Sequence, residues 1–84
     1  MYYETNVEKL PLAREQFPAH KARLDAFKAN GTLLMAGPFL NPANWALGIF
    51  TSKEAAEEFI KGDPFVVHGI VKKHTVLEWR EVLA

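Results

Sequence analysis

The chain has 84 residues, 49% of them hydrophobic, which suits one small domain and is far too apolar for a disordered segment. Lys plus Arg is 10 and Asp plus Glu is 10, and only Lys72-Lys73 are adjacent basic residues, so neither nucleic acid nor an anionic membrane surface is an expected partner. Cysteine is absent, which excludes a disulfide framework, a thiolate nucleophile and a Cys-based zinc site.

Met1 to about Thr5 reads as a short strand, with β-favouring Tyr2 and Tyr3. Asn6 to Gln16 is mixed, and Pro11 is expected to break any early helix. From Phe17 the pattern turns helical: Phe17, Leu24 and Phe27 recur at helical spacing, and Pro18 suits a first turn. Asn30-Gly31 ends this helix with residues able to take a left-handed backbone. Thr32 to Gly37 is a second strand, Pro38 to Asn44 a turn-rich connection, and Trp45 to Thr51 a third strand. Thr51-Ser52-Lys53-Glu54 fits a capping box with Thr51 as the cap. The helix it opens places Ala55, Ala56, Phe59 and Ile60 on one face, with Gly62 closing it and Pro64 preventing continuation. Phe65 to Gly69 reads as one irregular turn, and Ile70 to about Val82 as a long last strand.

The order βαββαβ over residues 1–84 predicts a single α+β domain of ferredoxin-like form, an antiparallel sheet with both helices on one face. The second strand offers Leu33 and Met35 on one parity and Leu34 and Ala36 on the other; the third offers Trp45, Leu47 and Ile49 against Ala46, Gly48 and Phe50. Neither strand has a polar face, whereas a solvated antiparallel sheet alternates cleanly. A second copy of the chain covering the face away from the helices explains this, and a domain this small gains needed burial by such association. No apolar run approaches the roughly 18 residues of a membrane span, and the N-terminus lacks the basic-then-apolar order of a secretory leader. A cytoplasmic protein without a membrane partner is expected.

Among groups able to carry chemistry, His20 lies three residues after Phe17 and four before Leu24, on the apolar side of the first helix. Placed in the first turn of a helix beginning at Phe17, it would feel the positive end of the dipole and stay neutral. The bland alternative is a core-edge histidine satisfied by a carbonyl. Asp63, before Pro64, has ordinary turn chemistry as its bland alternative. The βαββαβ path, however, returns the end of the second helix to the edge where the first begins, so His20 and Asp63 can meet. A carboxylate beside a histidine fixes its tautomer and supports its protonated form, as a general base requires. A partner subunit covering the sheet could then also complete the walls of their pocket. His68 is expected exposed in its turn, and His74 to lie in a solvated or interface row. Trp45 and Trp79 read as core or interface residues, with a pocket wall as the alternative. No two histidines have metal-site spacing on one helix face, the only serine, Ser52, lies beside a helix cap, and no glycine-rich phosphate loop is present, so neither a metal nor a cofactor is expected.

The segment FPAHKARLDAFKANG followed by TLLMAGP, then a strand, a helix and GDPFVVHGIV, resembles the YciI-like (YCII-related) proteins from about Phe17 to Trp79. Its distinctive elements are the His at the head of the first helix, Ala-Gly-Pro after the second strand, and Asp-Pro-Phe-Val after the second helix. The resemblance implies a dimeric α/β barrel of ferredoxin-like halves and an active site on a His–Asp pair, which maps to His20 and Asp63. Related dimeric barrels include muconolactone isomerase-like and small monooxygenase-like enzymes, which act on small, often aromatic-derived molecules without nucleotide cofactors. Two departures stand out. The first strand is shorter than in such proteins, so either the central strand is clipped or the natural start lies upstream. Asn44-Trp45 stands where many relatives are glycine-rich, so an indole narrows or lines the neighbouring surface.

The expected function is therefore cofactor-independent lyase or isomerase chemistry on an unidentified small organic molecule, carried by His20 and Asp63 in a homodimer. The alternative is a non-catalytic small-molecule-binding or dimerisation module. Sedimentation velocity over a micromolar concentration series tests the association: a dimer is expected, and a monomer at high micromolar concentration contradicts it.

Overall fold

A computed structural model of the chain describes residues 1–80 and 82. Strand β1 (Tyr2–Thr5) leads through a 3₁₀ turn (Val7–Lys9) into helix α1 (Leu10–Ala29); strands β2 (Leu33–Pro38) and β3 (Trp45–Phe50) follow, then α2 (Lys53–Gly62), the short α3 (Pro64–Val67) and β4 (Val71–Thr75). The sheet is antiparallel with order β2-β3-β1-β4, the ferredoxin-like arrangement.

The first helix starts earlier than its apolar spacing indicates. Asn6 caps the 3₁₀ turn by accepting from the Glu8 amide at 3.1 Å, and the chain then runs directly into α1. Pro11 falls in the first turn of α1, where a missing N–H breaks nothing, so it does not stop the helix. Pro18, expected at the start, instead lies inside α1. There it removes the amide that would bond the Arg14 carbonyl, but both residues face water, which can replace that bond. The far end matches the sequence: Gly31 takes φ +86°, and the Gly31 and Thr32 amides close back onto Lys28 and Phe27.

The α2 cap also shifts by one residue. The Thr51 amide is bonded to the Thr32 carbonyl at 2.9 Å and so still belongs to the sheet, leaving Ser52 to accept from the Ala55 amide at 3.1 Å. Ala56, Phe59 and Ile60 form the buried face of α2. Phe65–Gly69, read as irregular, contains a helical turn capped by Asp63, with Gly69 at φ +71° redirecting the chain into β4.

Two bulges decide which side chains face the helices. Leu33 lies opposite Phe50 but Met35 opposite Ile49, so Leu34 is an extra residue. Leu33 is thereby buried while Met35 is 64% exposed on the other face, although their parity alone placed them together. On β4, Glu4 faces Lys73 and Thr5 faces Val71, so Lys72 is the extra residue. The helix side of the sheet carries Tyr3, Ala46, Phe50 and Val71, packed with Leu24 and Phe27 of α1 and Phe59 and Ile60 of α2. The opposite side carries the cross-strand pairs Tyr2–Leu47, Glu4–Trp45 and Met35–Ile49.

The last strand is shorter than expected. Thr75 is paired with Tyr2, the first residue of β1, while Met1 continues the β1–β3 register by exchanging two bonds with Gly48 at 2.9 and 2.8 Å. No strand among the described residues continues past Thr75 to hold Val76 onward in a ladder; Glu81, within the expected strand, lies outside the described residues, as do residues 83 and 84 of the expected domain.

Phe59 is the centre of this core. It is fully buried and meets the Phe27, Phe50 and His20 rings at centroid separations of 5.2, 5.4 and 6.2 Å. Phe59→Ala is expected to cost about 3–5 kcal/mol through lost transfer energy and cavity formation. That is a large share of the roughly 5–15 kcal/mol of a typical domain. Denaturant unfolding measures it, and a loss under about 1 kcal/mol would contradict this placement.

Candidate functional site

Asp63 stands where α2 ends and α3 begins, and it is completely buried. A carboxylate withdrawn from water is tolerated only when donors replace its hydration. Three do so here. The Tyr3 hydroxyl donates to Oδ2 at 2.8 Å, the Phe65 amide donates to Oδ1 at 3.2 Å, and His20 Nδ1 lies 2.7 Å from Oδ1.

His20 therefore meets Asp63, as the topology indicated, but from a different position. It lies in the middle of α1, well away from the first turn, so the helix dipole does not act on it as expected. Its surroundings are aromatic instead. Phe65 stacks on the imidazole at 3.9 Å with 4° between planes, Phe59 presents an edge, and Phe17, half-exposed, lies 6.2 Å away.

This arrangement assigns the ring's tautomer. An ionised carboxylate only accepts, so Nδ1 must carry the hydrogen that fills the short contact. Nε2 is left with a lone pair in the neutral ring. It has no hydrogen-bond partner among the described residues, where no buried side-chain nitrogen or oxygen is left unpaired. Nε2 is thus open to an incoming molecule while Nδ1 is held from behind. The side chain as a whole is 12% exposed, which permits an approach along one edge of the ring.

Tyr3, which the sequence marked only as strand-favouring, is the third member of the cluster. Burial, then the Asp63 charge and the hydrogen bond to it, push its phenol far above the ordinary range, while Arg23 pulls the other way. Phe65 was likewise missed, although its place two residues after Asp63, directly following the Asp–Pro step, made its amide the natural donor to that Asp.

His68 and His74 remain apart, both exposed: His68 ends α3, and His74 pairs across from Tyr3 at the sheet edge. Among the described residues no three His, Asp or Glu side chains gather as metal ligands would. No helix among the described residues is long and apolar enough to cross a membrane. A cleft of about 520 Å³ lies elsewhere, with Met1, Phe50, Lys53, Val76, Leu77 and Trp79 among the residues that line it. Trp45 lies across from Glu4 on the face turned away from the helices.

Compared with known families, residues 1–80 match the model of the YCII-related domain. The chain belongs to the YCII-related family. No curated protein and no solved structure matches it.

In this YCII-related chain the Tyr3 proton links stability to pH. Above pH 10.0, the ordinary phenol value, the unfolded chain releases the Tyr3 proton while the folded chain keeps it. The unfolding free energy should then fall by about 1.4 kcal/mol per pH unit from this group, with its full contribution present at lower pH. Denaturant unfolding at successive alkaline pH values gives the slope, and one that Tyr3→Phe leaves unchanged would contradict the assignment.

Proposed function

We propose that this YCII-related protein is a cofactor-independent acid–base catalyst of lyase or isomerase type, acting as a homodimer on a small organic molecule. The observation that carries the reading is the His20–Asp63 contact of 2.7 Å, which leaves Nε2 as the open ring atom. Nε2 would take a proton from an acidic carbon of the substrate. The resulting imidazolium is offset by the Asp63 carboxylate behind it. In an isomerisation the same proton returns to a different carbon; in an elimination it passes to the leaving group. Either way His20 ends neutral and no external oxidant or reductant is needed. Phe17, beside His20 and half-exposed, supports an apolar, aromatic-derived substrate. The dimer is supported by the apolar sheet face carrying Leu47, Ile49 and the exposed Met35, which a second copy would cover.

A second reading, a non-catalytic small-molecule-binding module, is favoured by one observation. The cleft of about 520 Å³ includes neither His20 nor Asp63, so ligand capture and the dyad need not coincide.

Exchange of carbon-bound hydrogen for deuterium across a panel of small carbonyl compounds and lactones, followed by proton NMR, separates the two. Turnover in the wild type is expected to drop by about 10²–10⁴-fold in His20→Gln and in Asp63→Asn, with sedimentation unchanged. Full activity in both variants overturns the catalytic reading, and binding without exchange by any of the proteins supports the binding module.

A further inference from the structure

We infer that Tyr3 is a positioning residue of the dyad, which holds the Asp63 carboxylate at the rotation that keeps Oδ1 on His20 Nδ1 and so leaves Nε2 free. This rests on the reading of His20 as proton acceptor.

The two oxygens of Asp63 are not equivalent. Oδ1 is shared between His20 Nδ1 and the Phe65 amide, while Oδ2 is held by the Tyr3 hydroxyl at 2.8 Å. The terminal torsion of an aspartate is soft, so nothing in its covalent structure fixes the angle at which the carboxylate plane meets the imidazole. Phe65 constrains one oxygen from the carboxylate's own local chain. Among the described residues only Tyr3 constrains the other, across a sequence separation of 60 residues.

Tyr3 is well placed to be a rigid reference. It is 3% exposed, it lies on a central strand paired on both sides, opposite Ala46 and His74, and its ring packs in the cluster of Phe59 and Ile60. A phenol has few rotatable bonds, so its oxygen is set by the strand register to within the play of a packed ring. The hydroxyl also stays protonated, so it can only donate to this carboxylate and not repel it.

A purely structural role predicts something different. There the hydroxyl would be satisfied by Asp63, and removing it would change stability without changing the imidazole. Tyr3→Phe keeps the ring and removes only the donor. Nitrogen-15 NMR of the histidine ring reports which nitrogen carries hydrogen, with or without a known substrate. In the wild type, His20 is expected as a single Nδ1–H form. In Tyr3→Phe, an Nε2–H population or exchange broadening should emerge. Where a substrate is in hand, kcat should fall roughly 10–100-fold, the range for losing a residue that orients a functional histidine, with KM little changed.

A His20 ring spectrum in Tyr3→Phe that matches the wild type overturns the proposal, whatever happens to the melting temperature. If Tyr3→Phe fails to fold, replacing the tyrosines with a fluorinated analogue supplies the test. Its more acidic phenol is a stronger donor, so the Nδ1–H resonance should shift while the fold is kept; an unmoved resonance counts against the proposal. Failure of the underlying catalytic reading looks different, since His20→Gln would then retain full turnover while the tautomer of the wild type stayed single.

Discussion

A single buried carboxylate organises this molecule. Asp63 has no exposure, and three donors from three parts of the chain converge on its carboxylate. Removing one partner from a buried charge is more costly than removing a surface contact, because the remaining charge is left unsolvated. The donors come from β1, the middle of α1 and the first turn of α3, so the sheet, the long helix and the α2–α3 junction must all be in place together. The same requirement sets the tautomer of the imidazole. Satisfying Asp63 is what forces the hydrogen onto His20 Nδ1, and that in turn frees Nε2.

The strand period of two separates this cluster from the apolar outer face. Tyr3 points to the helices and Asp63, whereas Tyr2 pairs with Leu47 on the other side. A partner subunit laid on the outer face would meet Leu47, Ile49 and Met35 and not the dyad. The association inferred from two apolar faces and the site inferred from His20 and Asp63 are therefore properties of opposite sides of one sheet. The idea that one interface completes both finds no support in this geometry.

What could be read from the residues follows the range of the physics behind each signal. Strand order, the amphipathic face of α2 and the Gly31 terminus depend on local pattern and were legible. Pro11 and Pro18 were misread because proline's effect depends on where the helix starts: harmless at Pro11 in the first turn, tolerated at Pro18 where water reaches the orphaned carbonyl. Parity failed wherever an extra residue entered the ladder, as at Leu34 and Lys72. The end of β4 was illegible because it depends on β1 as partner, not on the residues of β4 themselves. The dyad was found because topology and the family pattern bring His20 and Asp63 together. The dipole argument for His20 did not survive, because that residue is mid-helix. Tyr3 gave no signal, since a hydroxyl's partner 60 residues away leaves no trace in local spacing.

The distance between the dyad's two halves has its own support, and it explains a glycine that first reads as helix punctuation. Arg23, nearly one turn beyond His20 on α1, donates to the Phe59 carbonyl at 3.1 Å and the Glu58 carbonyl at 2.7 Å, close to the end of α2. Its guanidinium also lies 4.9 Å from the Phe27 ring centroid and 5.6 Å from that of Phe59. It clamps α1 to the segment that delivers Asp63. Gly62 has no left-handed backbone and remains helical, so conformational freedom does not account for it. A Cβ there would lie 2.6 Å from Arg23 Nη2, inside the space the guanidinium occupies. The glycine that immediately precedes Asp63 thus leaves the guanidinium the position from which it bonds the Phe59 and Glu58 carbonyls, and a larger residue there would require Arg23 to shift.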